Sequence, residues 1–249
     1  MSSYDQFAKF YDALMYDCDY EQWSQYLLSV LAKNVERGAR GVDLACGSGN
    51  VTVPLARAGY EMIGTDLSEE MLRIAQEKAR KNGVRILFSE ADFRTFDFPK
   101  NVAFVTCVCD GLNYIPSSDL PGVFARVFDA LDEGGLFAFD ISSSYKLKTV
   151  LGDNLFYDDG EEVTYFWQNE CDGTSVKMDL SFFVREGEKY RRFDEMHEQF
   201  LHGETEILNA LNKVGFADVF ACEFLTLKPT KKTSERIQFF ARKGKKLSL

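Results

Sequence analysis

The stretch Gly41-Val42-Asp43-Leu44-Ala45-Cys46-Gly47-Ser48-Gly49-Asn50 joins a short apolar run, ending near an acid, to a Gly-x-Gly turn that opens a helix. Glycine lets the backbone reach positive φ and lets a ligand approach the main chain, while the N–H groups at the start of the next helix point into the same crevice. Alone, such a turn is common. Here a second acid, Asp66, ends the next apolar run, Tyr60 to Thr65, and precedes a helical pattern beginning at Leu67-Ser68-Glu69-Glu70-Met71. An acid at the tip of a second strand is placed to accept hydrogen bonds from ribose hydroxyls. Together the two turns predict a nucleoside-cofactor site.

Spacing separates the candidate cofactors. A dinucleotide fingerprint needs a third glycine so that helix and strand pack closely beneath a pyrophosphate, and Thr52 stands at that position. Asp43 would repel phosphate, yet suits a water or a cationic amino-acid group. The pattern resembles motif I of the class I S-adenosylmethionine-dependent methyltransferases. Further segments match that family in order: Asp66 resembles its ribose-binding acid, Leu67 and Met71 its apolar wall beside the adenine, and Ala91-Asp92-Phe93 the segment that meets the adenine edge. Val102 to Cys109 resembles the fourth strand, Asp110-Gly111-Leu112-Asn113-Tyr114 the methyl-transfer site at its end, and Leu131 to Asp140 the turn and fifth strand. The resemblance covers roughly residues 38–142 and 203–243. It implies S-adenosylmethionine as cofactor, bound by Tyr11, Asp43, Ala45, Gly47, Gly49, Asp66, Leu67, Met71, Ala91, Asp92, Phe93 and Cys109. It also implies a Rossmann-like fold: a doubly wound, mostly parallel seven-stranded α/β sheet carrying a small inserted antiparallel sheet. It does not specify the methyl acceptor.

Composition bounds the rest. At 249 residues and 45% apolar, with 22 Phe and 11 Tyr, the chain suits one α/β domain with an insertion. No segment reaches the roughly 18 apolar residues of a membrane span. The start Met1 to Asp5 lacks a basic and then apolar leader, so a cytoplasmic protein is expected. Six scattered cysteines and two histidines form no zinc spacing, so no metal is expected. Cys107 and Cys109, two apart, are read as neighbours on one face of a central strand. Net charge is −10, but Lys228 to Leu249 holds eight basic residues against Glu235, a net +7 that leaves −17 on the remainder. The plain reading of that tail is solvated charge beside a last strand and a frayed end, and a nucleic-acid partner is not expected.

The chain divides into residues 1–36, a helical lid; 37–142 and 203–249, the core; and 143–202, an inserted antiparallel extension. Phe7, Phe10, Tyr11 and Leu14 recur at helical spacing, as do Trp23, Tyr26, Leu27, Val30 and Leu31 in a second helix from about Tyr20 to Val35. The first run resembles the N-terminal lid of a bacterial subgroup of the family, which would bring Tyr4 and Tyr11 over the cofactor; plain cover for the sheet is the alternative. After Ser143, period-two runs at 163–168, 175–184 and 190–200, joined by Asp172-Gly173 and Glu186-Gly187-Glu188, predict hairpins.

Methyl transfer from a sulfonium is an in-line displacement, so positioning carries much of the rate and a base is needed only if the acceptor loses a proton. Asp110, Asn113 and His197 are the catalytic candidates. Asp110 and Asn113 equally suit a turn, and His197 shares a mixed strand face with Phe193, Glu195, Gln199 and Leu201; the plainer reading of His197 is a solvated strand histidine, and of His202 local structure. The expected function is methyl transfer to a small molecule, with an RNA or protein methyltransferase or a non-catalytic cofactor-binding protein as alternatives.

Overall fold

The computed structural model describes residues 8, 11, 12, 15, 18–244, 247 and 248. Tyr4, Phe7, Phe10 and Leu14, on which much of the expected lid helix rests, lie outside them. The core elements are α1 (Tyr20–Asn34), β1 (Arg40–Leu44), α2 (Thr52–Arg57), β2 (Glu61–Asp66), α3 (Glu69–Lys81), β3 (Leu87–Glu90), β4 (Val102–Cys107), α4 (Leu120–Ala130) and β5 (Leu131–Ser142). Four strands follow, β6 (Leu155–Asp159), β7 (Val163–Cys171), β8 (Ser175–Glu186) and β9 (Lys189–Phe200), and the chain returns through α5 (Glu204–Val214), β10 (Asp218–Glu223) and β11 (Arg236–Arg242).

Seven strands form one sheet in the order β10-β11-β5-β4-β1-β2-β3, with β1 to β5 parallel and β11 antiparallel to both β5 and β10. The chain steps outward from β1 to β3, then returns to β4 on the other side of β1. At that reversal the loops after β1 and β4 diverge, and a crevice opens at the carboxyl ends of the strands.

Period-two alternation divides the apolar residues between the two faces of the sheet. Phe137, Phe139 and Phe239 pack with Leu120, Val123, Phe124 and Val127 of α4 and Ile207 and Leu211 of α5. Leu136, Ala138 and Phe240 turn the other way, toward Trp23, Leu27, Val30 and Leu31 of α1 and Leu55 of α2. Gly41 permits this density: a Cβ there would stand 2.1 Å from the Phe104 ring.

The second sheet is antiparallel, in the order β6-β7-β8-β9. Val176 and Met178 bury against Leu147 and Leu151 of a π-helical turn at Lys146–Leu151, while Phe182, Val184 and Phe193 form a cluster that receives Tyr11. Strand β6 and the π-helical turn have no counterpart in the period-two reading. Exposure alternates along this edge strand, but its exposed positions hold Leu155 and Tyr157 beside the half-buried Phe156, so the sequence carries no hydrophobic alternation. The third core strand also falls later than the apolar run Val84–Phe88 suggests. Among the described residues, no helix is long and apolar enough to cross a membrane.

Candidate active site

The turn after β1 carries three consecutive odd positions at positive φ: Ala45 (50°), Gly47 (53°) and Gly49 (77°). A Cβ at Gly49 would press to 3.1 Å from that of Ala75 in α3, whereas one at Gly47 would meet nothing within 4 Å. The open side of Gly47 is a cradle for a ligand. Asp66 holds this turn, its carboxylate accepting from the Gly47 N–H at 2.8 Å and the Ser68 N–H at 2.9 Å. Burial raises the Asp66 carboxyl, and the N–H groups of Ser68, Gly47 and Leu67 offset part of that rise. Asp43 is buried, with one oxygen accepting from Thr52 at 2.5 Å and the other from Thr106 at 2.7 Å. Burial pushes its carboxyl up to about 6 against these hydrogen bonds. Thr52, where a dinucleotide fold would place glycine, is thus a partner of Asp43.

The adenine-side candidates flank Asp66. Met71 and Phe93 are buried, Leu67 is 54% exposed, and the Ala91 N–H donates to the Asp66 carbonyl at 2.9 Å. Asp92 is turned to Arg94, which donates from Nη2 at 2.6 Å and from Nε at 2.9 Å; this contact holds its carboxyl below the usual range.

Tyr11 and Asp12 approach from the N-terminal side. Asp12 accepts from Ser48 at 2.7 Å, Asn50 at 2.9 Å and Lys78 at 2.8 Å, fastening the segment to the glycine turn and to α3. Tyr11 and Tyr20 meet hydroxyl to hydroxyl at 3.1 Å. A cavity of about 40 Å³ remains beneath them, lined by Asp43, Ala45, Gly47 and Cys109 among others.

The turn after β4 differs from expectation. The strand stops at Cys107, so Cys109 is not its neighbour on a strand face; Cys109 and Asp110 stand at φ 58° and 53°. Asp140, at the end of β5, accepts from the N–H of Cys109 at 2.9 Å and of Asp110 at 3.1 Å. Arg236 at the start of β11 pairs with Asp140 and reaches Asp110 at 2.8 Å. Gln199 of β9 donates to the other oxygen of Asp110 at 2.5 Å. Burial would raise the Asp110 carboxyl, but Arg236, Lys146 and the bond from Gln199 bring it below the usual range.

Asn113 is a fastener between the two sheets. Its Nδ2 donates to the carbonyls of Ser142 at 3.1 Å and Phe200 at 2.9 Å, and its Oδ1 accepts from the Ser142 N–H at 2.9 Å. Its amide is thereby committed to backbone, which corrects its candidacy for chemistry. His197 is buried, 6.1 Å edge-to-face from Tyr114, and not the solvated residue its polar neighbours in sequence suggest. Burial lowers its imidazole to about 4, so it is neutral near pH 7. His202 does serve local structure, with Nε2 3.0 Å from the Leu112 carbonyl and Nδ1 3.0 Å from the Ser117 hydroxyl.

The basic tail is also corrected. Arg236 belongs to the site, the Arg242 Nε donates to the Gly134 carbonyl at 3.0 Å, and the Lys243 ammonium donates to the carbonyls of Phe128 and Leu131 at 2.7 and 2.8 Å. Arg236, Asp140, Gln199 and Asp12 escaped the sequence reading; Gln199 and Asp12 stood in runs noted for other residues, whereas Arg236 was counted only as charge.

The fold and the turn after β1 define a nucleoside-cofactor-binding α/β protein. A methyltransferase-domain family profile matches residues 42–135. The chain is 39% identical over 247 residues to YqeM of Bacillus subtilis (strain 168), covering 97% of this chain and 98% of that one. It superposes with a TM-score of 0.87 on an S-adenosylmethionine-dependent methyltransferase from Clostridium acetobutylicum ATCC 824, at 38% identity over 97% of this chain and 99% of the other. A sugar N-methyltransferase, KedS8 of Streptoalloteichus sp. ATCC 53650, shares the fold at TM-score 0.81 and 18% identity, over 98% of this chain and 95% of that one. The chain belongs to the class I S-adenosylmethionine-dependent methyltransferases.

Proposed function

We propose that this methyltransferase acts on a small molecule held between the Cys109–Asp110 turn and the inner face of the antiparallel sheet. The observation that carries this reading is how closely that sheet is fastened over the turn: Gln199 bonds to Asp110 at 2.5 Å, and Asn113 to the Phe200 carbonyl at 2.9 Å. Such a roof suits an enclosed metabolite better than a strand of RNA. Net charge of −10 also opposes a polyanionic partner. The sugar N-methyltransferase fold-neighbour indicates that this architecture accommodates a small acceptor.

In this reading the open side of Gly47 admits the amino-acid end of S-adenosylmethionine, and Asp66 accepts from the ribose hydroxyls with the lone pairs left by its two N–H contacts. Leu67, Met71 and Phe93 flank the adenine, the Ala91–Asp92 backbone borders its edge, Ala45, Cys109 and Tyr11 enclose the methyl end, and Gly49 lets the turn pack against α3 beneath the cofactor. Asp43 acts through the turn it shapes. When bound, the cofactor supplies an activated methyl group and its own leaving group. The protein's part is to orient the acceptor and exclude water. Asp110, ionised and held on both oxygens, favours an acceptor that presents a hydrogen-bond donor to it.

Incubation of the protein with methyl-labelled cofactor and a fractionated cell extract tests the proposal. Label is expected in the small-molecule fraction. Label in RNA or protein, with RNA binding that survives physiological salt, overturns it. The matching charge control replaces only Lys228, Lys231 and Lys232, because Arg236, Arg242 and Lys243 hold the fold.

A further inference from the structure

Two arginines of β11 are substantially buried, and they do different work. Arg242 lies at the start of the parallel strands, paired in register with Leu136, and donates to the Gly134 carbonyl and to Asn34. It closes the back of the sheet. Arg236 lies at the opposite end, paired with Ser142, where the carboxyl ends of β4 and β5 meet the ligand crevice. Its guanidinium carbon is 5.1 Å from the Trp23 ring centroid and 5.6 Å from that of Phe224, so its position is set by packing as well as by charge.

The turn that Arg236 contacts needs support. Cys109 and Asp110 are consecutive left-handed residues that carry side chains, a conformation that persists only where its surroundings fix it. Asp140 supplies the fixing contacts by accepting both N–H groups, and Arg236 is the cation beside Asp140. The same guanidinium reaches Asp110, whose second oxygen is taken by Gln199 of the antiparallel sheet. One side chain therefore touches both acids of the turn, and the second acid is the link to the roof.

We infer that Arg236 is the positioning residue of the methyl-transfer turn: it sets the Cys109–Asp110 backbone through Asp140 and registers the antiparallel sheet against that turn through Asp110 and Gln199. The inference rests on placing transfer at this turn and is independent of whether the acceptor is small. A surface groove of about 460 Å³ has Arg236 in its lining, with Lys146, Phe224, Ser234 and Glu235, and is the side from which a small cation would enter.

The experiment uses the full-length chain with Arg236→Ala and, separately, Gln199→Leu. Hydrogen exchange is read at the Cys109 and Asp110 amides, with the Gly47 amide as internal reference. S-adenosylhomocysteine affinity is read by titration, and transfer by labelling the extract fraction that the wild type labels. Arg236→Ala is expected to speed exchange at Cys109 and Asp110 at least about tenfold while leaving Gly47 unchanged. Product affinity stays within about threefold and transfer falls roughly 10- to 100-fold, the size of a lost charge-assisted contact. Ethylguanidinium restores part of the transfer and ethylammonium does not, because its nitrogen falls at the Nε position, short of the Nη1 that meets both carboxylates. Gln199→Leu lowers transfer by about tenfold with no change in exchange at Cys109. Unchanged exchange at Cys109 and Asp110 overturns the inference, as does a parallel loss of product affinity and transfer that ethylguanidinium leaves untouched. If Arg236→Ala does not fold, Arg236→Gln, which removes the charge and keeps most of the side chain, is read by exchange, product affinity and transfer alone. Wild-type labelling of RNA or protein defeats the small-molecule reading, while exchange and the variant-to-wild-type ratio still decide the role of Arg236.

Discussion

The turns after β1 and β4 meet at the same crevice and both need left-handed backbone, yet they obtain it differently. The first uses two glycines, with Ala45 beside them, and is held by Asp66, 19 residues after Gly47 and one strand away. The second uses Cys109 and Asp110 and is held by Asp140, Gln199 and Arg236, separated from their partners by 30 to 96 residues. The cofactor side is locally encoded. The turn after β4, where we place the acceptor, is encoded by residues that the fold must first bring together, so it can diverge without disturbing the first turn.

Asp140→Ala attacks the second turn at its anchor and has the largest expected effect. It leaves Arg236 buried with one partner fewer and orphans two N–H groups, a loss of about 3–5 kcal/mol in urea unfolding for a broken buried pair. Unfolding free energy equal to wild type would refute the account of that turn.

Acid loads the two sides in opposite directions. His197, on the acceptor-side sheet, has an imidazole lowered from 6.5 to about 4. Between those values the unfolded chain binds the proton more readily, so this contribution to stability is lost as pH falls through the window. At roughly 1.4 kcal/mol for each pH unit, the loss approaches about 3 kcal/mol. Asp43, on the cofactor side, is raised from 3.8 to about 6, so its contribution declines as pH rises through that range. In wild type the two slopes oppose each other. His197→Gln should remove the His197 slope and leave that of Asp43 among the slopes of the other buried groups, and an unchanged profile of stability against pH would remove His197 from the argument.

Asp66→Ala tests the locally encoded side. Loss of its ribose contacts should weaken cofactor binding by about 1.5–3 kcal/mol, tenfold or more, while transfer at saturating cofactor changes little. Titration that matches wild type would contradict the assignment. Gly47→Ala should be milder, about 1–2 kcal/mol in stability, because the added methyl meets open space and only the left-handed φ is penalised. Asp12→Ala should be the smallest, about 0.2–1 kcal/mol, since Lys78 and Asp12 remain partly exposed; it should appear as faster cofactor dissociation in stopped flow.

The sequence made the turn after β1 legible because glycine and an acid at a strand tip record backbone needs at the position where they arise. The parallel core was legible for a related reason: runs such as Val102–Cys107 are buried on both faces and are apolar but for Thr106, whose hydroxyl is taken up by Asp43. Period-two alternation likewise marked β7 to β9, though the exposed edge strand β6 left no such trace. Arg236 was illegible because it follows Lys231, Lys232 and Glu235 in a charged segment, and its partners lie at 110 and 140. His197 misled for the same reason, since Glu195 and Glu198 surround it in sequence while Tyr114 and the core surround it in space.

The placement of β11 has a consequence for the order in which this protein is made. That strand lies between β5 and β10, yet it emerges from the ribosome after every other strand of the sheet. Until it arrives, a nascent chain already holding the glycine turn and Asp66 carries β5 with an open edge and Asp140 with no cation beside it. One late segment covers the edge with backbone hydrogen bonds and brings Arg236 to the acid. Completion of the seven-stranded sheet and completion of the turn after β4 are therefore the same event.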